Sequence, residues 1–138
     1  AAFMAELAGL DHDETLDART RAAADFHWYS PVLAEALAGR LPDLVVRPRS
    51  IDEVRQVASA CVRHRVPLTV RGAGTGNYGQ CVPLHGGVSL DMTGLNRVIE
   101  MGEGWARVEA GIVLFDLNEA ARATEIKKLA DGHFAEVT

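Results

Sequence analysis

Half of the segment Gly72-Ala73-Gly74-Thr75-Gly76-Asn77-Tyr78-Gly79 is glycine. Missing side chains let a backbone approach a ligand closely or take positive φ. Successive free N–H groups in such a turn form a nest for an anionic group such as a diphosphate. Three kinds of phosphate loop compete for this segment. A Walker loop must end in G-K-[ST], and the first lysine of the chain is Lys127, so that chemistry is excluded. A Rossmann fingerprint, G-x-G-x-x-G, is formally met by Gly74 to Gly79. Its mechanism requires a helix that opens at the loop and presents its N-terminus to the phosphate. Here Gln80-Cys81-Val82-Pro83-Leu84-His85-Gly86-Gly87 follows, and Pro83 with the paired glycines forbids that helix. The third kind joins two strands and holds a diphosphate with main-chain amides alone.

The elements around the loop must position it. Leu44-Val45-Val46-Arg47 is a β-branched run stopped by Pro48. Ser50-Ile51-Asp52-Glu53 reads as a capping box, and the helix it opens repeats apolar residues at Val54, Val57, Ala58 and Cys61. Cys61 on that stripe is a core residue. Pro67-Leu68-Thr69-Val70-Arg71 is a second strand, so the spacing predicts a βαβ unit with parallel strands and the glycine loop after the second. Gly87 to Asp91 is a third strand, and two further runs flanking Gly102-Glu103-Gly104 predict a hairpin. A final helix is expected over 114–122, with Leu114, Leu117 and Ala121 facing inward. The first 41 residues read as a peripheral helical extension, in which Ser30 caps a helix with Pro31 in its first turn and Gly39 ends it. The aromatic run Phe26-His27-Trp28-Tyr29 is expected to anchor that extension to the body. The fold class is α+β: a βαβ unit with a small parallel sheet plus a hairpin, preceded by helices.

A chain of 138 residues with 48% hydrophobic and 24% charged residues has room for one core. No run approaches about 18 consecutive apolar residues, so no membrane span is expected. A net charge of -5 argues against nucleic acid as partner. The charge is unevenly spread: seven acids face two arginines in 1–39, and seven arginines face three acids in 40–71. That basic block suits either a small anionic ligand or a solvated arginine face. Arg71, at a strand end, is likewise divided between phosphate and water. Cys61 and Cys81 form no disulfide or zinc pattern, and a reduced, cytoplasmic setting is expected. The five histidines share no ligand spacing, and each reads as a surface or satisfied residue; no metal site is expected.

Several motifs occurring in order are more specific than the glycines alone. Val46-Arg47-Pro48, Ser50-Ile51-Asp52-Glu53-Val54, Val70-Arg71-Gly72-Ala73-Gly74-Thr75-Gly76, Gly79, Val82-Pro83-Leu84, Gly86-Gly87-Val88, Leu90-Asp91 and Val108-Glu109-Ala110-Gly111 closely resemble the FAD-binding domain of the vanillyl-alcohol oxidase / p-cresol methylhydroxylase (PCMH) family. The likeness covers 42–122 and is strongest to the glycolate oxidase / D-lactate dehydrogenase branch. It implies a PCMH-type FAD-binding subdomain. In that subdomain Arg71, Gly72, Ala73, Gly74, Thr75, Gly76 and Gly79 wrap the FAD pyrophosphate, and Pro48 lies near the adenine end. Some relatives bond flavin covalently through a histidine at the place held here by Thr75, so the resemblance implies non-covalent FAD.

Residues 123–138 depart from the family pattern, and the chain is expected to be an incomplete piece without catalytic residues that can be named. The function implied is the FAD-binding portion of an FAD-linked oxidoreductase acting on a small substrate, such as the 2-hydroxy acids glycolate or D-lactate. The alternatives are a truncated, non-catalytic nucleotide-binding or assembly module, and the same fold in another reaction, as in a molybdenum hydroxylase subunit or a cell-wall reductase.

Overall fold

In the computed structural model, which describes residues 2–130, the chain runs α1 (Ala2–Glu6), β1 (Asp11–Asp13), α2 (Leu16–Ala22), a 3₁₀ turn (Phe26–Tyr29), α3 (Pro31–Ala36), β2 (Leu44–Arg47), α4 (Ile51–His64), β3 (Leu68–Arg71), β4 (Val88–Asp91), a short 3₁₀ turn (Met92–Gly94), β5 (Val98–Gly102), β6 (Trp105–Val108) and α5 (Leu114–Ala130). Four strands form one sheet in the order β1-β2-β4-β3, and β5 and β6 form the expected hairpin. β2 and β3 of the βαβ unit are parallel as predicted, but they are not neighbours: β4 lies between them, parallel to both. Val88 is level with Leu44 on one side and Leu68 on the other.

Alternation along β2 divides its residues between two faces. Val46 packs with Leu44, Val88 and Leu90 against Val57, Ala60 and Cys61 of α4. Val45 turns to the other face, against Ala18 and Ala22 of α2. Cys61 is buried in the core, as its place on the helical stripe requires, and burial pushes its thiol pKa up. α4 starts where Ser50 Oγ accepts the Glu53 N–H at 3.2 Å, while Glu53 Oε2 accepts the N–H of Arg49, one residue before the usual capping-box partner. It ends with Arg65 in the left-handed region at φ 54°.

Three expectations are corrected. The first 41 residues are neither wholly helical nor peripheral: β1 pairs antiparallel with β2, and Leu7 and Leu10 belong to the main core. The aromatic run does not anchor by burial. Phe26, Trp28 and Tyr29 are exposed, with Trp28 and Tyr29 stacked on each other at 3.9 Å between ring centroids. Main-chain bonding holds this segment in place, through Phe26 N–H to Gly76 O at 2.7 Å. Of the three α5 residues expected to face inward, Leu114 and Ala121 are exposed and Leu117 is half-buried. Among the described residues this helix shows no continuous apolar stripe, and it leans on β5, where Thr124 Oγ1 lies 3.6 Å from Met101 Sδ.

The uneven charge seen in the sequence is largely resolved within the fold. Arg47 pairs with Asp11 and Asp13 at 3.6 and 3.7 Å, Arg49 with Glu53, Arg55 with Asp52, and Arg63 with Glu6. Arg40 donates to Leu84 O at 3.0 Å. Acids of the N-terminal segment thus answer arginines of the middle block.

Two predictions follow from this framework. Gly87 has φ +74°, and a Cβ there would lie 2.2 Å from the Pro67 carbonyl oxygen, so Gly87→Ala should destabilise by about 2 kcal/mol or more. Thermal unfolding should show Tm lowered by on the order of 8 °C. Separately, hydrogen bonds from Arg63 and His64 lower the Glu6 pKa to about 2. Because the folded value lies below the ordinary one, this contribution is present above about pH 4.5 and is lost as pH falls toward 2. Glu6→Gln should flatten that acid limb in urea midpoints measured against pH, and an unchanged limb would refute the assignment.

Candidate functional site

The chain leaves β3 at Arg71 and must return along the sheet to enter β4 at Val88. Gly74 and Gly79 take φ +68° and +76°, which turns the crossover sharply where other residues would be strained. No helix begins after Gly79; Val82 N–H closes a tight turn onto Gly79 O at 3.1 Å. The backbone from Arg71 to Gly76 walls a cleft of about 260 Å³, joined by Asp25, Gln80 and Cys81. Among the described residues, Ala73, Gly74, Thr75 and Gly76 donate no backbone hydrogen bond to protein. Their amides are available to an anionic ligand.

Room left by the absent side chains is taken by polar groups. A Cβ on Gly74 would lie 2.0 Å from Arg71 Nη2 and 3.3 Å from Ala24 O, and one on Gly76 would lie 2.4 Å from Gln80 Oε1. Arg71 Nη1 donates to Arg21 O at 2.5 Å, and its Nε is buried without a partner. Of the seven arginines between 40 and 71, only Arg71 lines this cleft. Gln80 Oε1 accepts from Tyr78 N–H at 3.1 Å. Cys81 is buried with its Sγ 3.7 Å from Ala24 O. Its thiol pKa is raised chiefly by burial, with the Arg71 charge opposing and the Asp25 charge adding.

The residues expected from the sequence are therefore split. Arg71, Gly72, Ala73, Gly74, Thr75 and Gly76 come together on the cleft wall. Gly79 stands behind it, where a Cβ would strike Leu37 Cδ1 at 2.3 Å. Pro48 is fully buried, and its carbonyl oxygen would lie 3.4 Å from a Cβ on Gly94. Asp25 is a cleft residue that sequence reasoning missed. It precedes the aromatic run, and nothing in its spacing from the glycines signals that they meet. A larger cavity, about 360 Å³, lies at the opposite, N-terminal ends of β2 and β4. Of its two acids, Glu14 and Asp43, the second is already engaged by Gly87 N–H at 2.7 Å.

The profile of the FAD binding domain family matches residues 42–132, ten residues beyond the stretch that carries the motif likeness. The glycolate oxidase subunit GlcD of Bacillus subtilis (strain 168) is 36% identical over 91 residues, covering 64% of this chain and 19% of that protein. The D-2-hydroxyglutarate dehydrogenase of Escherichia coli (strain K12) is 44% identical over 85 residues, covering 57% of this chain and 8% of that protein. The chain thus spans a fifth or less of these two relatives. Among solved structures, p-cresol methylhydroxylase with substrate bound superposes with a TM-score of 0.68 at 21% identity, covering 89% of this chain and 24% of that one, which is a likeness of fold. With the strand-to-strand glycine loop and its free amides inside the matched region, the chain belongs to the FAD binding domain family.

Proposed function

We propose that the loop Arg71–Gly76 holds the diphosphate of FAD in an FAD-linked oxidoreductase whose substrate is a small 2-hydroxy acid. The observation that carries this reading is the row of unengaged amides from Ala73 to Gly76 beside a guanidinium with a free Nε. A diphosphate supplies acceptor oxygens for both, and charge-assisted bonds of this kind are stronger than neutral ones. In this assignment Gly79 shapes the turn and Pro48, just after β2, lies toward the adenine end of the cofactor. FAD, when bound, supplies hydride acceptance; the chain's part is to grip the phosphates and fix where the rest of the cofactor lies. Thr75 has no nucleophilic ring nitrogen, so the flavin at this loop is held without a covalent bond. The 2-hydroxy acid class rests on the named activities of the two curated relatives.

Fluorescence titration of the chain with FAD should show saturable binding, and acid precipitation should release all the flavin into the supernatant. Arg71→Ala should weaken FAD by about tenfold or more. A wild-type chain that takes up no FAD would overturn the cofactor assignment and leave a non-catalytic module. The activity is tested on the full-length protein that carries this domain. Anaerobic addition of glycolate, D-lactate or D-2-hydroxyglutarate should bleach its flavin absorbance, and indifference to all three would exclude this substrate class.

A further inference from the structure

Asp25 has no solvent-exposed side-chain surface, yet only half of its carboxylate is used. Oδ1 accepts from the His27 N–H and lies 2.7 Å from His27 Nδ1. Oδ2 is buried with no partner, 3.4 Å from where a Gly76 Cβ would be, and the residue lines the glycine cleft. A buried carboxylate oxygen without a donor is costly. In the same cleft Arg71 Nε is a buried donor without an acceptor, and no ion pair joins the two side chains among the described residues. A diphosphate satisfies the arginine and the free amides, but it brings only acceptor oxygens and would repel Asp25. What completes the set is a ligand carrying a hydroxyl donor close to a phosphate: a phosphorylated polyol or sugar.

We infer that Asp25 is a cofactor-positioning residue whose Oδ2 accepts a hydroxyl of the sugar-alcohol or ribose next to the diphosphate. This rests on the FAD reading above and extends it from the phosphates to the adjoining carbon chain. His27 fixes the carboxylate, since both of its contacts fall on Oδ1 and leave Oδ2 directed at the ligand. Two hydroxyl sources exist in one dinucleotide, the ribityl chain and the adenosine ribose. Asp25 selects whichever lies on its side of the loop, which sets the direction in which the dinucleotide is laid across it.

The experiment titrates the chain and its Asp25→Asn variant with FAD, FMN, ADP and inorganic diphosphate. The variant keeps an oxygen for His27 and removes the charged acceptor. Expected is a loss of about tenfold or more for FAD and for one of FMN or ADP, with inorganic diphosphate unchanged or tighter. Loss with FMN assigns the ribityl chain, and loss with ADP assigns the ribose. A parallel loss for inorganic diphosphate would mean that Asp25 merely supports the loop, and overturns the inference. A second arm needs no variant: FAD analogues lacking single ribityl or ribose hydroxyls are titrated against the wild-type chain. One of them should bind about tenfold more weakly, and equal binding of all overturns the inference. If the wild-type chain takes up no FAD, the diphosphate reading fails and this one with it. FAD uptake indifferent to both arms sinks the hydroxyl acceptor alone.

Discussion

The site depends on β4 being inserted between β2 and β3, parallel to both. A chain that ends one parallel strand must travel the length of the sheet before starting its neighbour, which takes a dozen or more residues and usually a helix. Between Arg71 and Val88, Pro83 and the glycines prevent the helix, so the return is made by irregular backbone. Backbone outside regular structure must find hydrogen-bond partners elsewhere. Here a few turn bonds and bonds to Phe26, Arg40 and Asp43 hold the crossover, and the amides of 73–76 are left over. In the proposed role, the main-chain contacts to the ligand come from that leftover, beside the Arg71 and Asp25 side chains.

The N-terminal segment completes what the sheet begins. α2 covers the face of the sheet marked by Val45, and Arg19 Nε donates to Pro42 O at 2.6 Å. Arg21 and Gly76 offer carbonyl oxygens to Arg71 and Phe26 respectively, so the loop is tied by reciprocal bonds to the end of α2 and the residues after it. Through that tie Asp25 enters the cleft. Charge follows the same logic: acids on α1 and β1 meet Arg63 and Arg47, and of the middle block Arg71 is the residue directed to the cleft.

Local chemistry was legible in the sequence and distant pairing was not. The Ser50 cap, the stripe through Val57 and Cys61, the β-branched runs and the Gly102–Gly104 hairpin turn each depend on residues within a few positions of one another. β1 is three polar residues, Asp11-His12-Asp13, with no strand-like alternation; pairing with β2 makes it a strand. The exposed Trp28 and Tyr29 violate the expectation that large aromatics bury, and Leu114 does the same on α5. Apolar character alone does not say which face meets a partner. At the cleft, Arg71 and the glycines through Gly76 are contiguous in the chain and share one wall. Asp25 was not legible in the sequence, since only the folded sheet brings it to Gly76.

The glycine cradle is furnished in advance by Arg71 and Gln80, whose polar heads stand where Cβ atoms would otherwise be. These heads are already bonded, Arg71 Nη1 to the Arg21 carbonyl and Gln80 Oε1 to the Tyr78 N–H. For the proposed diphosphate, association at this loop would be governed by the difference between these bonds and those the ligand makes. On that proposal the affinity would depend on α2 and the tip of the crossover as well as on the glycines.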